Sequence, residues 1–101
     1  MSIWVLGSVE TVTAFALAGV GGRAVERRAE LLSALDEAVG RDGIRVLAVE
    51  EGIAALAREE IDRLKLDPRA PLVVEVPGPL GPTEERQTAL DLVRRVLGIR
   101  V

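Results

Sequence analysis

The chain has 101 residues, enough for one domain with one core and not for two. A hydrophobic share of 49% beside a charged share of 29% is the composition of a folded globular protein and excludes a disordered one. The net charge of −3, with arginines scattered among acids, offers no basic stripe, which argues against a nucleic-acid binder and against direct adhesion to anionic lipid.

Missing residue types narrow the chemistry further. There is no cysteine, so disulfides and thiolate metal sites are excluded. There is no histidine, which removes the commonest metal ligand and the side chain best suited to proton transfer near neutral pH. Trp4 and Phe15 are the only aromatics. The core must therefore be aliphatic, and stacking platforms for single-stranded nucleic acid are lacking. The apolar run Ile3 to Leu6 is far short of a signal-peptide core or a spanning helix. The expectation is a cytoplasmic chain without direct membrane insertion, which reaches a membrane only through a partner.

In chain order, Ile3-Trp4-Val5-Leu6 ending at Gly7 reads as a buried first strand. Ser8 then serves as a helix N-cap, with Glu10 in the first turn where a carboxylate suits the helix dipole. Val9, Val12, Phe15 and Ala16 are expected to form the inward stripe of this helix, and Gly19-Val20-Gly21-Gly22 to end it in a turn. Arg23 to Glu26 reads as a short edge strand. Leu31, Leu32, Leu35, Ala38 and Val39 follow helical spacing up to Gly40, and Asp42-Gly43 makes a turn.

Ile44 to Val49 is the third strand, continuous enough to be covered on both faces. A third helix turns Ile53, Leu56, Ala57, Ile61 and Leu64 inward, sets Glu59 and Arg63 as an outward pair, and stops at Asp67-Pro68. Leu72 to Val76 is the fourth strand. The stiff loop Pro77-Gly78-Pro79-Leu80-Gly81-Pro82 follows, and then a C-terminal helix over 83–97. Its acids Glu84 and Glu85 stand in the first turn and its bases Arg94 and Arg95 in the last, with Leu90, Val93, Val96 and Leu97 on its apolar face. Strand and helix thus alternate four times. That pattern predicts a single α/β domain over residues 1–101: a small doubly wound fold with a four-stranded parallel sheet, strand one inside it, and helices on both faces.

Ligands in such sheets sit beyond the carboxyl ends of the strands. A phosphate cradle there needs a glycine-rich turn after strand one, and the sequence offers only Gly7-Ser8-Val9. A phosphoacceptor site needs acids after strand one and a lysine after the last strand. No acid directly follows strand one, and the single lysine, Lys65, ends a helix. Glu50 and Glu51 read instead as helix-initiating charges. Hydroxyls are present, but a hydrolase triad has no histidine to serve as base. The acids Glu26, Glu30, Asp36 and Glu37, spread along a helix among arginines, read as a solvated face rather than a metal site. The residues themselves point to no catalytic, cofactor or metal site. They leave open a free-standing receiver-like regulatory or small-ligand-binding domain as the alternative to an interaction subunit.

Four blocks carry a resemblance. Val5-Leu6-Gly7-Ser8-Val9-Glu10-Thr11-Val12-Thr13-Ala14-Phe15-Ala16-Leu17-Ala18-Gly19-Val20 is the most specific. Val46 to Ala54, Pro71 to Gly78 and Val93 to Ile99 follow in order. Together they resemble the F subunit of the vacuolar/archaeal-type rotary ATPases and ATP synthases. Ser8 stands where that family often has an acid, Ala14 where Gly is frequent and Ala16 where Arg is frequent, so no role of that arginine is carried over. The resemblance implies a non-catalytic central-stalk (rotor) protein without cofactors. Its expected partner is the coiled-coil D subunit of the rotor, and through it the A/B catalytic ring and the membrane rotor. Membership of such a complex would make the protein peripheral to the membrane. For the contact, the C-terminal helix and the loop before it are the expected surface. Leu90, Val93 and Leu97 would be anchors, Arg86, Arg94 and Arg95 would lie at the rim, and Pro77 and Pro79 in the approach.

Overall fold

The computed structural model describes residues 3–79. The expected helix over 83–97 lies outside the described residues, and with it Arg86, Leu90, Val93, Arg94, Arg95 and Leu97. Four strands form one parallel sheet: β1 (Ile3–Gly7), β2 (Gly21–Ala24), β3 (Val46–Glu50) and β4 (Leu72–Val76), in the order β2-β1-β3-β4. Between them lie α1 (Val9–Leu17), α2 (Arg28–Gly40), the short α3 (Glu51–Ala54), a 3-10 turn (Ala55–Ala57) and α4 (Arg58–Leu66). The predicted α/β architecture with strand one inside the sheet is the one observed.

The core lies on one face of this sheet. Leu6, Leu47, Val49 and Val73 point into it from β1, β3 and β4, and meet Leu31, Ala34, Leu35 and Ala38 of α2 and Ile61 of α4. The alternate residues Val5 and Ala48 are also buried but belong to the opposite face, where α1 lies. Alternation is what a strand's two-residue period dictates, so one register serves both layers. Burial of a side chain such as Leu6, Leu47 or Ile61 stabilises the fold by roughly 1.5–3 kcal/mol.

Several expectations need correction. The inward stripe of α1 is Thr11, Val12 and Phe15, whereas Val9 is 56% exposed and Ala16 is exposed. Thr11 displaces the apolar residues from the inner line because it joins a polar cluster with Ser8 described below. In α2 the buried line includes Ala34, while Val39 is exposed. The edge strand starts two residues earlier than expected, so Gly21 and Gly22 lie inside β2 and pair with Trp4 and Val5. Gly19, with φ +86°, is the member of that glycine cluster that makes the expected turn. Gly21 is needed for space, since a Cβ there would stand 2.8 Å from Cζ3 of Trp4. β3 likewise begins at Val46 rather than Ile44.

The single third helix expected to carry Ile53 to Leu64 and to stop at Asp67-Pro68 is in fact interrupted. Ala57, with φ −144° and ψ 53°, leaves helical geometry and starts α4 afresh. The break turns Ala54, Ala57 and Ile61 toward the core together, and leaves Leu56 partly exposed. It also changes the ion pairs. Glu59 and Arg63 close no ion pair with each other; Arg58 instead pairs with Asp62 at 3.9 Å and with Glu75 of β4 at 2.8 Å. Arg28 of α2 reaches Glu60 of α4 at 2.5 Å and donates to the Leu56 carbonyl at 3.0 Å, which ties the two helices over the core.

Candidate functional site at the switch point and exit loop

From β1 the chain crosses outward to β2, and from β3 it crosses the other way to β4. The direction of winding therefore reverses between β1 and β3. In open α/β sheets this reversal opens a crevice at the carboxyl ends of the strands, facing a helix N-terminus. Here the crevice is lined by Gly7-Ser8 after β1, by Glu50 at the end of β3 and by Pro77-Gly78-Pro79 after β4.

Ser8 caps α1 as its sequence position predicts, its Oγ accepting from the Thr11 N–H at 3.4 Å. The same hydroxyl donates to Oε1 of Glu50 at 2.7 Å, and the Ser8 N–H donates to that oxygen at 3.0 Å. Burial raises the cost of charging Glu50, yet hydrogen bonds from the Thr11 and Ser8 side chains and the Ser8 amide outweigh it. The carboxyl is held below its ordinary pKa and is ionised at neutral pH. Glycines flank it on two sides: a Cβ at Gly7 would lie 2.9 Å from Oε1, and one at Gly78 would lie 2.5 Å from Oε2.

An internal carboxylate thus occupies the position where an external anion would meet the N-terminus of α1. A phosphate entering there would face this charge, with Glu10 and Glu51 close in sequence on the neighbouring helices. The sequence pattern assigns Glu50 and Glu51 one shared role as helix-initiating charges, and the structure separates them. Glu51 does stand in the first turn of α3, but Glu50 makes no side-chain cap to α3 and reaches across to Ser8 instead. Lys65, the one candidate for a phosphoacceptor lysine, is engaged with Glu75 at 2.5 Å on the core-side face. Among the described residues no group of three or more His, Cys, Asp or Glu is placed to hold a metal, and no helix is long and apolar enough to cross a membrane.

Of the predicted contact residues, Pro77 and Pro79 are described, and both are exposed. They flank the buried Gly78 and, with Glu10, Thr11, Ala14 and Phe15 of α1, border a shallow depression of about 350 Å³. The loop after β4 is thereby brought beside α1, from which three strands and the helices between them separate it in the chain.

Comparison with known proteins supplies what the geometry alone does not. Residues 3–93 match the family described as ATP synthase (F/14-kDa) subunit. The chain belongs to this family. The F subunit of the A-type ATP synthase of Methanothermobacter thermautotrophicus is 34% identical over 102 residues, spanning 99% of this chain and 95% of the relative. In this member of the F/14-kDa family the matched span includes every described element and continues past the exit loop. The resemblance read from the four sequence blocks is thus the family found.

Proposed function

We propose that this chain is the non-catalytic central-stalk component of a V/A-type rotary ATPase or ATP synthase, bound to the coiled-coil D subunit and modulating the coupling of the complex. The observation that carries this reading is the family match over residues 3–93. The switch point supports it: the crevice that serves nucleotides in other doubly wound sheets holds the protein's own carboxylate, hydrogen-bonded to Ser8. A fold used this way contributes surfaces rather than a reaction centre. The contact surface in this reading is the segment 83–97 with the loop before it, namely Arg86, Leu90, Val93, Arg94, Arg95 and Leu97, approached through Pro77 and Pro79. Apolar side chains at helical spacing suit a groove on a coiled coil, and flanking arginines suit acids at its rim. The protein then acts on the cytoplasmic side of the membrane as a peripheral part of the assembly, with the D subunit linking it to the A/B ring and the membrane rotor.

Co-expression with the cognate D subunit tests this. A 1:1 complex should elute as one peak in size-exclusion chromatography, and two separate peaks at micromolar concentration would refute the assignment. Reversing the charge of Arg94 and Arg95 together should weaken the complex more at low salt than at high salt, because exposed rim pairs are screened.

A further inference from the structure

Arginines that are scattered in the sequence are gathered by the fold at the amino end of the sheet, opposite the switch point. Arg41 and Arg45 lie on the connection from α2 to β3, and Arg69 on the connection from α4 to β4. A bond from the Leu72 N–H to the Arg45 carbonyl at 2.8 Å holds the two connections side by side. The three arginines line one shallow depression of about 360 Å³, in which Asp42 is the one acid among the described residues. We propose that this surface docks an acidic segment of a neighbouring subunit, with the arginines meeting that partner's carboxylates. For the kind of partner, the inference rests on the reading of the chain as a subunit of a larger assembly. It takes nothing from the segment after Pro79.

Three observations carry it. First, these charges are left without acids of their own. Arg23, Arg28, Arg58 and Lys65 each pair with a carboxylate of another element. Among the described residues Arg41 and Arg45 close no ion pair, and Arg69, 92% exposed, meets only Asp67 of its own loop at 3.8 Å. In a chain of net charge −3, three such groups at one end create a local field of opposite sign. Second, one of them is already held in place. The Arg41 guanidinium lies over the Trp4 ring, 4.4 Å from its centroid. That contact orders the side chain and leaves the N–H edge of its planar fork for a carboxylate. Third, apolar surface accompanies the charge. Leu66 and Leu72, 84% and 65% exposed, bracket the loop of Arg69, and Val39, 43% exposed, lines the depression. Exposed aliphatic side chains among arginines suit a protein interface, where arginine is enriched and lysine depleted.

Other anions fit less well. Lipid-binding clusters use about 4–8 basic side chains, and an anionic bilayer would be repelled by the rest of this acidic chain. A single phosphate suits a cradle of backbone N–H groups, whereas these donors are side chains on two separate loops. Carboxylates spaced along a segment match them.

Photo-cross-linking in the assembled complex tests this, with p-benzoylphenylalanine in place of the exposed Asp42. The expected product joins position 42 to an Asp- or Glu-bearing stretch of another subunit. Arg45→Glu with Arg69→Glu should lower affinity for the assembly purified without this chain on the order of tenfold at low salt, and less at high salt. Arg27→Glu, at the carboxyl end of the sheet, should leave it unchanged, and reversing the mapped acids to arginine should restore binding of the double variant. The proposal is overturned by a cross-link to a stretch without acids or to a second copy of this chain, or by unchanged affinity of the double variant. Flotation with phosphatidylserine vesicles, or a thermal shift with inorganic phosphate, that the double variant abolishes would overturn it too. All four substituted positions are exposed, so each variant should keep the parent's circular dichroism. If the Asp42 variant fails to assemble, the charge reversal carries the test alone. Co-elution with the D subunit is measured separately on the parent. Its failure refutes the central-stalk reading, whereas a 1:1 complex in which the double variant binds like the parent refutes this inference only.

Discussion

Replacing Glu50 by Gln keeps the shape of the side chain and removes its charge, so it isolates what the carboxylate contributes to stability. Two hydrogen bonds converge on Oε1, from the Ser8 N–H at 3.0 Å and the Ser8 hydroxyl at 2.7 Å. Bonds to a charged acceptor contribute about 1.5–3 kcal/mol each and those to a neutral one about 0.5–1.5, so neutralisation costs roughly 2 kcal/mol for the pair. Two effects reduce this. A neutral amide is easier to bury than the carboxylate, whose burial is the largest single influence on it, and solvent reaches its outer side. After that discount the net loss is about 1 kcal/mol, which is about 4–8 °C in Tm for a domain of this size. Thermal unfolding followed by circular dichroism reads it.

The pH dependence fixes the mechanism. The folded carboxyl is held below its unfolded pKa, so on acidification the unfolded chain takes up the proton first. The stabilisation is complete above the unfolded value of about 4.3 and is lost as pH falls through the lower folded value. The Tm gap between parent and Glu50→Gln should therefore be constant above about pH 5 and close progressively below about pH 4. Equal stability at neutral pH, or a gap that persists undiminished into strong acid, would refute the claim that charge holds this junction.

Three further outcomes follow from the packing. Ile61→Ala removes a fully buried side chain between α4 and the sheet and should cost about 2–5 kcal/mol in urea unfolding. Gly43→Ala and Gly40→Ala form a contrasting pair, because a Cβ meets nothing within 4 Å at either site. At Gly43, with φ +94°, alanine should destabilise by about 1–2 kcal/mol, while at the helix-terminal Gly40 it should stabilise by about 0.4–1 kcal/mol; the same urea titrations read both. Glu75→Ala releases both Arg58 and Lys65 and should cost about 1 kcal/mol, with the loss smaller in high salt.

Much of this fold is legible in the sequence because its strands are short apolar runs bounded by turn residues. Leu72–Val76 falls where its apolar run places it, and Ser8 caps α1 as expected. The misreadings share a cause: each depends on a neighbour distant in sequence. Gly21 and Gly22 look like turn residues until the register places Gly21 against the Trp4 ring. The break at Ala57 has no glycine or proline to announce it, and is explained by three small or branched side chains reaching one core. Thr11 takes an inward position because of the Ser8–Glu50 cluster, a relation that spans 42 residues. Glu50 itself is visible as an acid at a strand end, but its role requires knowing that β1 and β3 are neighbours with Leu6 opposite Val49. The family is legible in four blocks, and the contact residues beyond Pro79 rest on that resemblance and on helical spacing.

The placement of Glu50 also bears on how a doubly wound sheet can close its own switch point. A helix N-terminus at the switch point carries partial positive charge and donor groups that need an acceptor. Left open, it attracts whatever anion is abundant. Filled by a water-exposed loop, it would stay exchangeable. Glu50 satisfies the Ser8 N–H and hydroxyl from within the same domain, with the acceptor already fixed on β3. An external phosphate must then displace a tethered carboxylate whose effective concentration far exceeds that of any free ion. The same tether joins three loops from three strands at one point. The crevice that nucleotide-binding sheets of this architecture leave open is here closed by the protein's own carboxylate, and Gly78 of the loop after β4 lies against it.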